Sequence, residues 1–151
     1  MKTPRKPGVD PLANPMATRL GYQLRRASVH MMTDLYTHLA PTGLRPAEVS
    51  ILLLIGANPG CRQGEVAELL GIKRSNMVPL VAALIDKELV TRARADGRST
   101  ALSLTTKGRA LSQASNRLID RHEAAFRARL DDRALEGLLH SLAALSGTVD
   151  V

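Results

Sequence analysis

The chain has 151 residues, a formal net charge of +7 and a pI of about 10.3, and 44% of its residues are hydrophobic. This length and composition favour one globular domain, and the single cysteine excludes an intramolecular disulfide. The positive charge favours a polyanionic partner such as nucleic acid, although a ribosomal protein or a membrane-surface binder would carry the same charge.

Neither a targeting segment nor a membrane span is evident. No apolar run approaches the 18 residues that a membrane-spanning helix needs, and the N-terminus lacks the apolar core of a signal peptide. The lone Cys61 suits a reducing compartment. We therefore predict a cytoplasmic protein with no membrane partner.

Residues 1–15 are predicted to be a flexible basic arm. Prolines, a glycine and three basic residues fill this segment: Lys2, Pro4, Arg5, Lys6, Pro7, Gly8, Pro11 and Pro15. Such an arm is either a solvated tail or an additional contact to DNA phosphates, and its composition does not distinguish the two.

A first long helix is predicted from Ala17 to Leu39. An apolar stripe at helical spacing is expected to face the core, and it comprises Leu20, Leu24, Ala27, Met31, Leu35 and Leu39. A second stripe, at strict i, i+4 spacing, comprises Arg26, His30, Asp34 and His38. It is either a surface ladder of charge pairs or part of a ligand cavity where histidines meet an acidic effector.

A central helix is predicted from Pro46 to Ala57. Pro46 suits the first position of a helix, the run from Ile51 to Ile55 is wholly apolar, and Asn58-Pro59-Gly60 ends it. Cys61 is expected in the following loop. Arg62 beside it is weak support for a redox-sensing thiol, and an ordinary small side chain is the alternative.

The segment from Arg62 to Gly108 is predicted to be a helix-turn-helix followed by a hairpin. Val66, Ala67 and Leu70 give the first helix one apolar face, and Gly71 suits the left-handed residue that ends it. The second helix opens with Lys73, Arg74, Ser75 and Asn76, and its inward residues are Met77, Leu80, Val81 and Leu84. A buried back and a basic front at the N-terminal end are typical of a DNA-reading helix.

The hairpin is predicted from two short β-prone runs, 89–94 and 101–105, joined by the turn dipeptide Asp96-Gly97. Basic residues cluster on or near its tip, namely Arg92, Arg94 and Arg98. A helix-turn-helix followed by a charged hairpin is a winged helix. The predicted fold class is therefore mainly α with a small β-hairpin wing.

Two helices are predicted after the wing. Thr105 or Thr106 caps a long helix reaching about Leu130 that carries two apolar stripes, and Asp131-Asp132 cap a last, leucine-rich helix ending near Gly147. The leucine faces exceed what a lone small domain needs. They indicate dimerisation, with an internal antiparallel helix pair as the alternative.

The wing carries a family resemblance. Asp96-Gly97-Arg98, Leu102-Ser103-Leu104-Thr105 and Gly108, together with Leu69-Leu70-Gly71-Ile72, resemble the multiple-antibiotic-resistance regulator (MarR) family over residues 16–147. The resemblance implies a homodimeric, ligand-responsive transcriptional regulator, most simply a repressor. Its winged helix-turn-helix would span about 46–105, between dimerisation helices at about 17–39 and 106–147. Pro79 departs from the family pattern, as do Arg45 and Arg62 at helix-capping positions.

The geometry of DNA then assigns roles. Ser75 and Asn76 are the expected base readers, Lys73 and Arg74 the phosphate contacts, and Arg98 the minor-groove contact. The full expected set for a double-stranded operator is Lys73, Arg74, Ser75, Asn76, Arg92, Arg94, Arg98 and Ser99. If the second helix begins near Lys73, Pro79 removes a backbone bond within it; if it begins at Ser75, Pro79 lies near the tolerated first turn.

The resemblance implies as effector a small aromatic acid, a phenol or an acyl-CoA thioester. Its expected site comprises Tyr22, Arg25, Arg26 and His30. No cofactor is expected, and no metal site, since the four histidines lack the spacing of known metal motifs. No catalytic motif indicates an enzyme. The alternative function is an architectural nucleic-acid-binding protein without an effector.

Overall fold

A computed structural model describes residues 12–95 and 99–147, and it describes only the backbone of Arg94, Ala95 and Ser99. The first eleven residues of the predicted arm and the predicted turn at Asp96-Gly97 lie outside this range. The elements are α1 (Leu20–Leu39), a 3-10 turn (Ala40–Thr42), α2 (Pro46–Ala57), β1 (Cys61–Arg62), α3 (Gln63–Leu69), α4 (Arg74–Asp86), β2 (Val90–Ala95), β3 (Ser99–Leu104), α5 (Thr106–Arg127) and α6 (Asp132–Ser146).

Helix α1 begins later than predicted, at Leu20. The side-chain oxygen of Asn14 accepts a hydrogen bond from the Met16 amide at 3.1 Å, and this local bond holds residues before the helix in a turn. The predicted core stripe is only partly buried. Leu39 is 1% exposed, whereas Leu20 is 61% exposed, so the N-terminal half of α1 does not reach the core of its own chain.

Helix α2 has the predicted bounds and lies at the centre of the core. Ile51, Leu52 and Ile55 are fully buried, together with Val49 on the same helix. They pack with Val66, Met77, Val81, Leu84 and Leu102 from the surrounding elements in one cluster. A helix that is apolar on nearly all sides is stable only when other elements surround it, as they do here.

The sheet has three strands in the order β1-β3-β2, all antiparallel. Strand β1 was not predicted, because Cys61 was placed in a loop. Its two residues pair with β3, with Cys61 opposite Leu102. The hairpin strands are also displaced by one or two residues from the predicted runs.

The helix-turn-helix is formed by α3 and α4. Gly71 has φ +63°, the left-handed conformation predicted for it, and the Ile72 amide donates to the Ala67 carbonyl at 2.9 Å. Lys73 is the N-cap of α4, so Pro79 is the sixth residue of that helix. This is the arrangement in which Pro79 removes a backbone hydrogen bond inside the helix.

The two C-terminal helices have the predicted caps. Thr105 accepts from the Gly108 amide at 2.8 Å, and Asp131 accepts from the Ala134 amide at 2.8 Å. None of the described residues of α6 is buried, and four of its leucines are exposed: Leu138, Leu139, Leu142 and Leu145.

Within the described residues no single helix is long and apolar enough to cross a membrane; only two segments together meet that test, 20–42 and 46–57, with a 68° bend between them.

Candidate nucleic-acid interface and effector site

Helix α4 has a buried back and an exposed polar front. Met77, Val81 and Leu84 are completely buried in the core. The front lies in the first turn and its cap, where four exposed residues follow one another: Lys73, Arg74, Ser75 and Asn76. The fold therefore places all four of these predicted DNA contacts at one exposed helix end.

The N-terminus of α4 is also open to an acceptor from outside. The N-cap Lys73 makes no side-chain capping bond in the described structure, and its ammonium group has no lone pair with which to accept one. Amides at a helix N-terminus favour anionic acceptors, among them phosphate. The first turn of α4 therefore combines cationic side chains with backbone donors.

A buried carboxylate fixes α4 against the central helix. Glu48 accepts from the Arg45 amide at 2.8 Å, which caps α2, and from the Lys87 ammonium at 2.7 Å, just beyond the end of α4. Burial alone would raise the pKa of Glu48, but these two bonds outweigh it and hold the pKa below its usual value. The pair positions the two helices relative to each other.

The wing is joined to the helix-turn-helix by a side-chain hydrogen bond. Arg92 on β2 donates to Gln63, the first residue of α3, at 2.8 Å, and Arg92 remains exposed. Of the other predicted wing contacts, Arg94 and Ser99 lie on paired strands, at neighbouring rungs of the hairpin. Arg98 lies outside the described residues.

The four predicted effector residues line one hollow of about 580 Å³. Its lining comes entirely from α1 and comprises Tyr22, Arg25, Arg26, Val29, His30 and Thr33. The Arg26 guanidinium lies 5.8 Å from the centre of the Tyr22 ring. The hollow is on the exposed side of α1 and takes none of its described lining from another element.

Phe126 at the end of α5 and Arg129 just beyond it were missed by the sequence analysis as neighbours of this hollow. The Phe126 ring lies edge-on to His30 at 5.5 Å, and the Arg129 guanidinium lies 4.3 Å from the Phe126 ring centre. Arg129 also approaches the His30 ring nitrogen at 3.5 Å. His30 thus contacts Phe126 of α5 and Arg129 just beyond that helix, almost a hundred positions away in the chain, which no local pattern could indicate.

A cluster of three polar side chains lies one turn further along α1. Asp34 Oδ2 is 2.9 Å from His122 Nδ1 on α5 and 3.2 Å from His38 Nδ1. The hydrogen bond from His122 lowers the pKa of Asp34, in spite of an opposite contribution from burial, and the adjacent His38 lowers it further. The second stripe of α1 is therefore not simply a solvated ladder, since part of it makes a tertiary contact.

Cys61 does not have the surroundings of a redox sensor. Burial raises the pKa of its thiol, and the nearby Glu65 carboxylate raises it further. A raised pKa keeps the thiol protonated and unreactive. The Arg62 neighbour noted in the sequence does not reverse this.

Comparison with known proteins identifies the family. A profile described as MarR family matches residues 42–99. The transcriptional regulatory protein assigned to the hcr operon of Thauera aromatica is 31% identical over 133 residues, which is 84% of this chain and 80% of that protein. The chain belongs to the MarR family. It is thus a transcriptional regulator and not an enzyme.

Solved structures resemble this MarR-family regulator over most of its length. The repressor CouR bound to a 23-mer DNA duplex is 38% identical, with a TM-score of 0.85 over 91% of this chain and 99% of that one. CouR bound to p-coumaroyl-CoA is also 38% identical, with a TM-score of 0.80 over 87% and 94% of the two chains. The Mycobacterium tuberculosis protein Rv2887 in complex with salicylic acid is 27% identical, with a TM-score of 0.67 over 85% and 96%.

Proposed function

We propose that this MarR-family repressor binds a pseudo-palindromic operator as a homodimer and is released from it by an aromatic acyl-CoA thioester or the corresponding aromatic acid. The observation that carries the proposal is the exposed basic N-terminus of α4 in a chain 38% identical to CouR, whose structure with a DNA duplex is known. The same relative binds p-coumaroyl-CoA.

The charge distribution supports specific DNA binding. Lys73 and Arg74 stand at the exposed start of α4 beside Ser75 and Asn76, so phosphate anchors and base readers share one helix end. The Asn76 amide can pair with adenine through two hydrogen bonds. On a two-fold dimer the two α4 helices would enter successive major grooves, roughly 34 Å apart.

The exposed apolar surface supports the dimer. Leu138, Leu139 and Leu145 on α6 are 44%, 43% and 56% exposed, and Leu20 on α1 is 61% exposed. Apolar side chains exposed on two terminal helices are typical of an interface between subunits. The proposed dimer would bury the half of the α1 stripe that the core of the single chain leaves open.

The hollow on α1 supports an anionic effector. Arg25 and Arg26 lie in it beside His30, and Arg129, just beyond the end of α5, approaches the same histidine. Guanidinium groups pair with carboxylates and phosphates through two parallel bonds, and CoA carries several phosphates. Tyr22 adds an aromatic wall. An aromatic CoA thioester would contact both the guanidinium groups and the Tyr22 ring, whereas a small acid would pair with only one or two of the cations.

The test begins with the DNA contacts. Asn76→Ala should lower the ratio of specific to non-specific binding, at a cost of about 1–3 kcal/mol if the amide contacts one base pair twice. Lys73→Ala should weaken both kinds of binding alike and reduce the salt slope by about one unit. Fluorescence anisotropy at several salt concentrations, on the operator and on a scrambled duplex, separates the two roles. Uniform loss in both variants would contradict the assignment.

The effector is tested on the same complex. p-Coumaroyl-CoA, p-coumarate and free CoA are added separately to the protein–operator complex, and release is measured. Release by the thioester or the acid supports the proposal, and the Arg26→Ala, His30→Ala double variant should then bind DNA normally but respond only at higher ligand concentration. Binding without preference for a palindrome, and without release by any of the three, would instead indicate an architectural protein.

A further inference from the structure

The cluster of Asp34, His38 and His122 unites two elements that are far apart in sequence. Asp34 and His38 are one turn apart on α1, and His122 comes from α5, 88 residues after Asp34. The His122 side chain is 4% exposed, while those of Asp34 and His38 are 39% and 36% exposed. The cluster is thus closed on the α5 side and open to solvent on the α1 side.

Its donor atoms have the separations of metal ligands. One donor atom from each residue lies within 4.8 Å of the other two, and the two measured nitrogen–oxygen distances are 2.9 and 3.2 Å. Tetrahedral Zn²⁺ with bonds of about 2.0–2.1 Å places neighbouring ligand atoms about 3.3 Å apart. Small side-chain shifts would therefore bring all three donors around one ion.

The types of donor select the kind of ion. Two imidazoles and one carboxylate suit Zn²⁺ and its first-row neighbours, whereas Mg²⁺ and Ca²⁺ require oxygen ligands. Three protein ligands with one side open to solvent leave a fourth position for water or an exogenous donor. His38 Nδ1 is also 3.0 Å from the Asp34 carbonyl oxygen, and this hydrogen bond would be given up if the same nitrogen ligated the ion.

We propose that Asp34, His38 and His122 bind a divalent transition-metal ion, with Zn²⁺ as the preferred species. The ion would link α1 to α5 and would replace the hydrogen bonds that now join the three side chains. Such a link stabilises the folded state by an amount that rises with the logarithm of the metal concentration divided by the Kd. The site is distinct from the α1 hollow, although Phe126 contacts both His30 and His122, at ring-centre distances of 5.5 and 5.0 Å.

The experiment uses the full chain, freed of metal with a chelator and then dialysed. Titration with Co²⁺ should produce the visible absorption of a four-coordinate ion and saturate at one equivalent per chain. Added Zn²⁺ should abolish this absorption by competition and raise the Tm. Absence of both the absorption and the Tm shift would show that the three side chains form only a hydrogen-bonded cluster.

Two variants and one control assign the residues. His38→Gln, at a half-exposed position, should fold normally and lose metal affinity by at least about 100-fold, since losing even a residue that only hydrogen-bonds to a metal ligand costs about 10–100-fold. His122→Gln should do the same, and if it does not fold, His38→Gln decides the matter. His140→Ala, on the exposed α6, should bind metal like the wild type. Equal affinity in His38→Gln and wild type would overturn the proposal.

Discussion

Glu48 shows how a single buried carboxylate supports the position of α4. It is 5% exposed and bonded to both the Arg45 amide and the Lys87 ammonium. We expect Glu48→Gln to lower the free energy of unfolding at neutral pH by about 1–3 kcal/mol, because the Arg45 amide and the half-exposed Lys87 ammonium both lose a charged acceptor. Chemical denaturation monitored by circular dichroism measures this difference.

The stability that Glu48 contributes is also expected to depend on pH. The folded-state pKa of Glu48 is lowered, so its contribution is present above the unfolded-state pKa, about 4.3, and is lost as the pH falls through the folded-state value. The difference between wild type and Glu48→Gln should therefore shrink below about pH 4. Glu88→Gln is the matched control, since Glu88 meets Lys107 at 3.6 Å on the exposed surface and should change stability by less than about 1 kcal/mol. Equal losses in the two variants would contradict a special role for Glu48.

Gly108 is required by the close approach of two backbone segments. A Cβ atom at this position would lie 1.9 Å from the Leu89 carbonyl oxygen, which cannot move freely because the Thr105 amide donates to it at 3.0 Å. We expect Gly108→Ala to destabilise the protein by about 3 kcal/mol or more. Gly137→Ala, on α6 with open space around it, should instead stabilise by about 0.5–1 kcal/mol. Thermal unfolding of both variants tests this, and a stable Gly108→Ala would refute the steric argument.

Residue-level predictions from the sequence succeed where the cause is local. The caps at Thr105 and Asp131 and the left-handed Gly71 depend on neighbours within a few residues, and all three are confirmed. The pairing of His122 with Asp34 depends on how α5 packs on α1. Only the i, i+4 spacing of Asp34 and His38 was visible in the sequence.

At the scale of elements, Pro79 is the irregular feature of α4. As the sixth helical residue it offers no amide to the Ser75 carbonyl, and its ring is exposed. We expect Pro79→Ala to raise the free energy of unfolding by up to about 3 kcal/mol, since it restores the helical bond. Denaturant titration compares it with Val78→Ala, a half-exposed neighbour with an ordinary amide, which should change stability by less than about 0.5 kcal/mol. A lower stability for Pro79→Ala would mean that the proline ring contributes to the fold.

The bounds of an element were predicted correctly where the nearby sequence marks its ends clearly. Pro46 and the Asn58-Pro59-Gly60 breaker delimit α2, so its predicted bounds match the structure. β1 has two residues and is stable only through its pairing with β3, which no pattern within Cys61-Arg62 can specify. For the same reason the hairpin was identified but the bounds of its two strands were displaced by one or two residues.

At the scale of the whole molecule, the sequence indicated the winged helix because its buried apolar residues and its exposed basic residues recur at helical spacing within short segments. The effector site was harder to predict. Tyr22, Arg25, Arg26 and His30 share one hollow, as expected, but Phe126 and Arg129 reach His30 only through the packing of α5 on α1. The surface proposed to pair two copies is visible in the sequence as an excess of leucine, without the geometry of the pairing.

The last prediction concerns that pairing. Leu142 is 37% exposed and lies at helical spacing from Leu138 and Leu145, in the face proposed to meet the second subunit. Leu142→Glu should yield a monomer in sedimentation experiments, because an unpaired carboxylate would be buried in an apolar interface. Specific DNA affinity should fall by about 100-fold or more, since the two α4 helices no longer bind as a linked pair.

His140→Glu places the same charge on the opposite side of α6 and should remain dimeric with unchanged operator affinity. A dimeric Leu142→Glu would remove α6 from the interface. A monomer that binds the operator as tightly as the wild type would instead show that the interface is correct but that one α4 helix suffices for recognition. Measuring oligomeric state and affinity on the same samples therefore separates the role of α6 from the two-fold mode of DNA binding.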